Sequence, residues 1–416
     1  MLEYFKYSKL CGVTAMSNKF RMASRRFNTF LKFVFGIYTR HLFGYSIHNE
    51  QIKALKPPYI VIANHTNFWD PFLLSICIPG PVHFVTSDTY FRNPVLKFLL
   101  RYLGAIPKTK SLSDPQSTRN ILSVAKNNGV IGIFAEGRRN WDGTTLPLLY
   151  PTAKLVKSLE IPVVSVLFKG ACLSMPRWAR HSRKGELVMT CSQVFSSDAI
   201  KPLSVDEIYA GMTASLSHDE YAWQHSRMIP YKGRKQAERL ELFLFLCPEC
   251  KSTTHMKSHN DMFYCSNCNY TVRYDECGFF KPVSGRLYFD NPREWNLWQI
   301  DTLESEINAE ISKTGADPIL EDVNVTGYSG GKSHPLELLH TGSLYLYCDR
   351  IVFTSPEGGN YSFELSEING LNVQYNDQME FYHKKVLYRF GRDNGSISAY
   401  KWVMALGILK SGRNST

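Results

Sequence analysis

The sequence has no apolar run long enough to cross a bilayer. In its apolar first third the longest charge-free stretch, Pro71 to Ser87, is interrupted by Pro79, Gly80 and Pro81, whereas a spanning helix needs roughly 20 predominantly apolar residues. No apolar segment follows the early lysines either, so a secretory signal is not expected. Acidic residues are scarce at the start: across the first 57 positions Glu3 and Glu50 face ten lysines and arginines. A basic end of this kind implies an anionic partner, either nucleic acid or an anionic lipid surface. A disulfide framework is also missing. Four of the ten cysteines form one cluster and six stand singly, which fits a reducing compartment.

What is present is a chain of 416 residues, 44% hydrophobic, with a formal net charge of +11. That length and apolar content predict two or more domains and at least one sizeable core. Between Arg26 and Tyr45, Phe27, Phe30, Leu31, Val34, Ile37 and Leu42 recur at helical spacing among Arg26, Lys32 and Arg40. This reads as an amphipathic helix that lies on a membrane or packs on the protein.

From Tyr59 to Val194 buried strands alternate with helices. Strands are expected at Tyr59–Ala63, Val82–Thr86, Val130–Phe134, Val163–Phe168 and Leu187–Cys191, and helices at Pro94–Tyr102, Ser117–Lys126 and Thr152–Leu159. The pattern is that of an α/β domain with a sheet flanked by helices. Its first strand runs into Asn64-His65-Thr66-Asn67-Phe68-Trp69-Asp70-Pro71. Five positions on a continuous helix would set His65 and Asp70 about 140° apart, so they meet only if the chain bends. Asp70-Pro71 predicts that bend, with Asp as helix N-cap and Pro at the first helical position. A carboxylate beside an imidazole fixes its tautomer and makes it a better general base. A solvated histidine beside a capping aspartate would show the same letters.

A second turn, Phe134-Ala135-Glu136-Gly137-Arg138-Arg139, places arginines next to a glycine. The planar fork of arginine pairs two phosphate oxygens while glycine lets the backbone come close. Taken in order and about seventy residues apart, the two turns resemble the glycerolipid acyltransferase family, whose motifs are N-H-x-x-x-x-D and F-P-E-G-T-R-S. Gly104-Ala105-Ile106-Pro107-Lys108-Thr109-Lys110 is similar to the family's G-A-I-P-V-D-R block, and Ile161-Pro162-Val163-Val164-Ser165 to its V-P-V-V-P strand. The departures are Ala135, Arg138, Asn140, Lys108–Lys110 and Ser165; none touches His65, Asp70, Glu136, Gly137 or Arg139. The altered block and the extra Arg138 bear on which acceptor is held.

The resemblance implies acyl transfer from a thioester, acyl-CoA or acyl carrier protein, to a hydroxyl of a lysophospholipid. Most directly that would turn 1-acylglycerol 3-phosphate into phosphatidate, with glycerol 3-phosphate or another lysophospholipid as alternative acceptors. His65 would be the base and Asp70 its partner. Glu136, Gly137, Arg138, Arg139 and Lys110 would form the acceptor site, with no catalytic cofactor. Residues 1–45 would then associate with an anionic membrane, placing a peripheral, unsecreted enzyme on the cytoplasmic face, with residues 46–230 as the acyltransferase domain.

The remainder reads as further modules. Cys247-Pro-Glu-Cys250 and Cys265-Ser-Asn-Cys268 are separated by fourteen residues, within strand-like Leu242–Leu246 and Tyr270–Arg273. Four thiolates so spaced predict a closed, structural Zn²⁺ site in a zinc ribbon over 241–285. Ile300, Leu303, Ile307 and Ile311 mark a helix within 286–334, with Gly315–His334 as linker. Gly330-Gly331-Lys332-Ser333 fails as a phosphate loop, because Thr326 stands where the first glycine belongs and His334-Pro335 follows. Over 335–416, six short strand-like runs and a helix at Ser396–Leu409 predict a small antiparallel β-barrel with a C-terminal helix, resembling pleckstrin-homology or GRAM domains. The competing functions are a zinc-ribbon nucleic-acid binder and a catalytically silent membrane adaptor. No sheet face alternates basic and aromatic residues as RNA readers do, and His65 and Asp70 are intact, so nucleic acid is not expected as a partner.

Overall fold

A computed structural model of the chain describes residues 20–109, 114–313, 317–331, 335–392 and 397–413. Lys110 and the first nineteen positions lie outside them. The first body is a seven-stranded sheet: β1 (Gly44–His48), β2 (Tyr59–Ala63), β3 (Val82–Ser87), β4 (Ile106–Lys108), β5 (Val130–Phe134), β6 (Val163–Lys169) and β7 (Glu186–Phe195), in the order β1-β7-β6-β2-β5-β3-β4. All neighbours run parallel except β6 and β7. The β-branched run of β2 is buried at every position. Ile60 and Ile62 enter one core and Tyr59, Val61 and Ala63 the other, as expected of a central parallel strand covered on both faces.

Helices α1 (Arg25–Leu42), α2 (Asp70–Cys77), α3 (Pro94–Tyr102), α4 (Pro115–Lys126) and α5 (Tyr150–Leu159) belong to this body, followed by single-turn α6 (Ala171–Ser174) and α7 (Ser197–Ile200), then α8 (Val205–Leu216) and α9 (Glu220–Arg227). Their starts are written locally. Asn93 caps α3 ahead of Pro94, and Ser204 and Glu207 form a reciprocal capping box at α8, each satisfying N–H groups that a helix start leaves open. Strands β1 and β4 were not anticipated. β1 lies where the amphipathic reading ran on to Tyr45, and β4 has three residues, too few for a periodic signal.

The expected amphipathic helix is α1, which packs on the protein by one side only. Phe35 meets Phe72 of α2 at 4.4 Å between ring centroids and Tyr38 meets Trp69 at 5.3 Å. Lys32 Nζ donates to the Ile78 and Gly80 carbonyls at 2.7 and 2.5 Å. The other side leaves Phe30, Phe33 and Ile37 exposed, and α3 adds exposed Val95 and Phe98. The two helices touch through Phe27 and Tyr102. No helix among the described residues is long and apolar enough to cross a membrane.

The cysteine segment is a four-stranded antiparallel sheet of β8 (Met256–His259), β9 (Met262–Cys265), β10 (Thr271–Tyr274) and β11 (Phe280–Ser284) in the order β11-β10-β9-β8. The expected strand Leu242–Leu246 is not one. A 3-10 turn covers Leu240–Leu242, and Phe243 to Leu246 continue as buried irregular chain. Their apolar letters report burial against α10 (Pro292–Ile311) rather than sheet pairing: Gln299 accepts from Phe245 N and donates to Phe243 O.

The linker expected at 315–334 is also corrected. Leu320–Gly330 is strand β12, and it sits in the middle of the last sheet. Its glycines, asparagine and exposed positions hid a strand whose Leu320 and Val325 are buried. With β13 (Glu337–Leu346), β14 (Arg350–Thr354), β15 (Asn360–Glu364), β16 (Ile368–Gln374), β17 (Gln378–His383) and β18 (Val386–Gly391) it forms an antiparallel sheet, β15-β14-β13-β12-β18-β17-β16. Among the described residues the ladder ends at β15 and β16, so closure into a barrel is not part of the hydrogen bonding. Helix α11 (Ala399–Arg413) packs on β16 and β17.

The second and third bodies are not separate beads. One continuous core runs from Trp141 and Trp178 through Phe243, Phe263 and Trp295 to Phe353, Phe381 and Trp402. Trp141, two positions beyond Arg139, stacks on Phe243 at 5.6 Å and meets Tyr400 of α11 at 5.0 Å.

Candidate active site

The site forms where β2 and β5, adjacent parallel strands, end side by side. Asn64 prolongs the β2 pairing with a side chain, its amide donating to Phe168 O and its carbonyl accepting from Phe168 N at 2.9 and 2.8 Å. The chain then turns, and Asp70 folds back into the turn it follows. Its Oδ2 accepts from Thr66 N at 2.6 Å and Asn67 N at 2.9 Å, and lies 2.8 Å from His65 Nδ1. The expected N-cap role is therefore corrected. Asp70 is the first helical residue, and Trp69 stands at the cap without a side-chain bond. The carboxylate serves the histidine turn instead of its own helix.

A carboxylate accepts, so Nδ1 carries the proton and Nε2 the lone pair. The ring stacks on Phe134 at 4.1 Å. Burial lowers the His65 pKa; the bond and charge of Asp70 oppose this, and the charges of Arg139 and Arg177 add to it. Neutral imidazole, the form that can take a proton, is favoured.

Glu136 faces inward. Its Oε1 accepts from His65 N at 2.6 Å, and its Oε2 from Leu146 N at 2.9 Å and Asn140 Nδ2 at 3.5 Å. Burial pushes its pKa up to about 8. Asn140 N donates to His65 O at 2.8 Å, so the two turns are laced together from both sides. Gly137 has φ +69, and a Cβ there would lie 2.6 Å from Leu149 Cδ1. The positive φ favours glycine there, and any Cβ would also have to push the Leu149 side chain aside. Arg138 is exposed. Arg139 is partly covered, its Nη2 donating to Tyr375 O at 2.7 Å and Asn376 Oδ1 at 3.4 Å in the turn between β16 and β17.

The sequence reading missed Arg177 and that turn. Arg177 is buried, donates from Nη1 to Arg139 O at 2.7 Å and from Nη2 to Val373 O at 2.9 Å, and lies 4.4 Å over the Trp141 ring. Nothing in Pro176-Arg177-Trp178 marks it; only the fold brings it beside Arg139.

Away from this site, the Sγ atoms of Cys247, Cys250, Cys265 and Cys268 all lie within 4.8 Å of one another. Cys247 is 3.6 Å from Cys268 and Cys250 is 3.7 Å from Cys265. Tetrahedral zinc with ~2.3 Å bonds to sulfur separates its ligands by ~3.8 Å, so this donor set fits a metal with no open position.

The family model named Acyltransferase matches residues 45–169, which holds both turns. The chain is 19% identical to 1-acyl-sn-glycerol-3-phosphate acyltransferase of Bacillus subtilis (strain 168), over 42% of this chain and 85% of that protein. It is 26% identical to acl-1 of Caenorhabditis elegans, which bears the same enzyme's name provisionally, over 30% of this chain and 48% of that protein. Among solved structures it is similar to the 1-acyl-sn-glycerophosphate acyltransferase PlsC of Thermotoga maritima, at 18% identity and a TM-score of 0.35, covering 47% and 86% of the two chains. Residues 45–169 of the N-terminal α/β body are an acyltransferase domain, and the relatives that share this part of the chain support the glycerolipid acyltransferase family.

Proposed function

We propose that the protein moves a fatty acyl group from a thioester, acyl-CoA or acyl carrier protein, to the free hydroxyl of a lysoglycerophospholipid, with 1-acylglycerol 3-phosphate as acceptor and phosphatidate as product. The observation that carries this is the 2.8 Å pairing of His65 Nδ1 with a buried Asp70, next to arginines that have no carboxylate partner among the described residues. His65 Nε2 takes the acceptor hydroxyl's proton as that oxygen attacks the thioester carbonyl. The tetrahedral adduct collapses, the C–S bond breaks, and the departing thiolate receives the proton back as a thiol. Asp70 holds the ring and stabilises the imidazolium between these steps. General-base help of this type is worth ~10²–10⁴-fold. No covalent acyl-enzyme is needed, because the nucleophile is the acceptor's own oxygen.

Arg139 holds the acceptor phosphate, while Glu136 and Gly137 shape the turn that presents it. The exposed apolar sides of α1 and α3, with the basic N-terminal residues, would rest on an anionic bilayer as a peripheral contact on its cytoplasmic face. Zinc, held by the four cysteines, would supply folding energy to the ribbon and no chemistry. The decisive experiment is acyl transfer by purified protein to lysophosphatidate, glycerol 3-phosphate and other lysophospholipids from both donor types. Transfer to none of them, by protein with a cooperative melt, rejects the reading.

A further inference from the structure

The arginines that bond β16, β17 and the turn between them divide into two kinds. Arg92 and Arg389 both pair with Glu380, and Arg239 pairs with Asp377. Arg139 and Arg177 pair with no carboxylate among the described residues. Their partners are neutral oxygens: the carbonyls of Tyr375, Val373 and Arg139, and the Asn376 amide.

A buried cation without a counterion is costly, and proteins that keep one usually supply an anion. Arg177 is only 6% exposed, and its Nε is buried with no acceptor in the protein. Of its five N–H groups, Arg139 O and Val373 O engage only ones on the two terminal nitrogens. The guanidinium is also pushed towards losing its proton, first by burial and then by the charges of Arg139 and Arg138. An arriving anion would relieve all three. The turn above is itself held in an uncommon conformation, with Tyr375 at φ 54, backbone that a bulky side chain disfavours and that is found at functional sites. Asn140, the residue after Arg139, donates to His65 O at 2.8 Å, so an anion held by Arg139 lies close to the base.

We propose that Arg177 joins Arg139 in binding a phosphomonoester dianion of the acceptor, in a site roofed by the Val373–Asn376 segment of the C-terminal sheet. This rests on the acyltransferase reading and deepens it. Two guanidiniums neutralise a dianion, whereas an esterified phosphate carries one charge and a bulky substituent that meets the roof. The C-terminal sheet is thus a wall of the acceptor site, and it selects phosphomonoesters over phosphodiester lysophospholipids.

The test uses full-length protein and two readouts. In steady-state transfer with lysophosphatidate, lysophosphatidylcholine and 1-monoacylglycerol, Arg177→Gln should raise the lysophosphatidate KM about 10–100-fold, the range lost with a charged hydrogen bond. The donor KM and the monoacylglycerol KM should change far less than the lysophosphatidate KM, and Arg177→Lys, which keeps the charge without the fork, should recover part of the loss. Separately, glycerol 3-phosphate, but not glycerol, should raise the melting temperature of wild type and of His65→Ala, and this shift should shrink in both Arg177 variants. An unchanged lysophosphatidate KM with a wild-type phosphate shift in Arg177→Lys overturns the proposal, as does equal loss toward all three acceptors. If wild type transfers no acyl group, the acyltransferase reading fails, while the phosphate shift still decides the anion site.

Discussion

Glu136 Oε1 accepts a hydrogen bond from the backbone N–H of His65 at 2.6 Å, so the second motif's carboxylate positions the first motif's base from behind. Its other oxygen holds Leu146 N at 2.9 Å. Gln could keep one of these bonds and would leave the other N–H without an acceptor, costing about 1–3 kcal/mol. The charge adds a pH signature. The folded pKa, raised to about 8 from an ordinary 4.5, means that the folded state binds the extra proton between those values. Stability from this group is therefore full at low pH and is lost as pH rises through the window. Denaturant melts should show Glu136→Gln most destabilised near pH 5 and less so near pH 8. A gap that widens with pH would contradict the buried-carboxylate account.

His65→Ala should remove transfer by roughly 10²–10⁴-fold with little change in melting temperature, because the ring stacks on Phe134 at the edge of the core. Asp70→Asn should be badly impaired as well, since an amide can present its N–H to Nδ1 and move the proton to Nε2. The pH profile of kcat/KM checks the base directly. His65 must be neutral to act, and its pKa is lowered from 6.5 by burial. The acid limb should fall off below that ordinary value. A limb centred above it would mean that the charge of Asp70 outweighs burial.

Arg139→Ala should raise the acceptor KM more than the donor KM, and Arg138→Ala should do less, because Arg138 is exposed and Arg139 lies under the Tyr375 turn. Product analysis at saturating donor separates the two. If only the donor term moves in Arg139→Ala, the phosphate assignment is wrong.

Phe33 and Ile37 on α1 are 68% and 60% exposed, and Phe98 on α3 is 67% exposed. Replacing all three with serine should release the protein from vesicles containing anionic lipid, while leaving its melt intact. High salt should weaken wild-type binding without abolishing it, since charge and apolar insertion act together. Binding indifferent to both changes would place the membrane contact elsewhere.

The parts legible in the sequence were those whose chemistry is local. β2 announces itself by an unbroken β-branched run, and His65 with Asp70 by a turn between strand and helix. The cysteine pairs show by spacing alone. What stayed hidden depends on contacts far apart in the chain. Arg177 joins the site from the loop that follows α6, and Val373 and Tyr375 offer backbone carbonyls, which carry no letter at all. β12 read as linker because its buried positions are few and separated by glycine and asparagine. Asp70 read as a cap because the same residue type serves both tasks, and only the fold decides which N–H groups it reaches.

The four-cysteine cluster, proposed above to hold zinc, offers the sharpest test of how the bodies are joined. Four thiolates leave no open position, so metal loss should not remove a catalytic group. Structural zinc is nonetheless worth ~10–16 kcal/mol of apparent free energy in small modules. Here Phe263 and Tyr270 of the cysteine segment share Trp295 with the rest of the core, and that core continues to Trp141, two positions beyond Arg139. Loss of the metal should therefore spread. Cys247→Ser with Cys250→Ser should expose residues 241–280 to protease and lower the melting temperature of the C-terminal sheet with them. With the sheet loosened, the Val373–Asn376 roof leaves Arg139 and Arg177. Acyl transfer should persist, with a raised KM for lysophosphatidate and little change for 1-monoacylglycerol. Elemental analysis should find one zinc per wild-type chain. Complete loss of transfer to both acceptors, in a variant whose acyltransferase domain still melts cooperatively, would show that the metal site supports the chemistry itself.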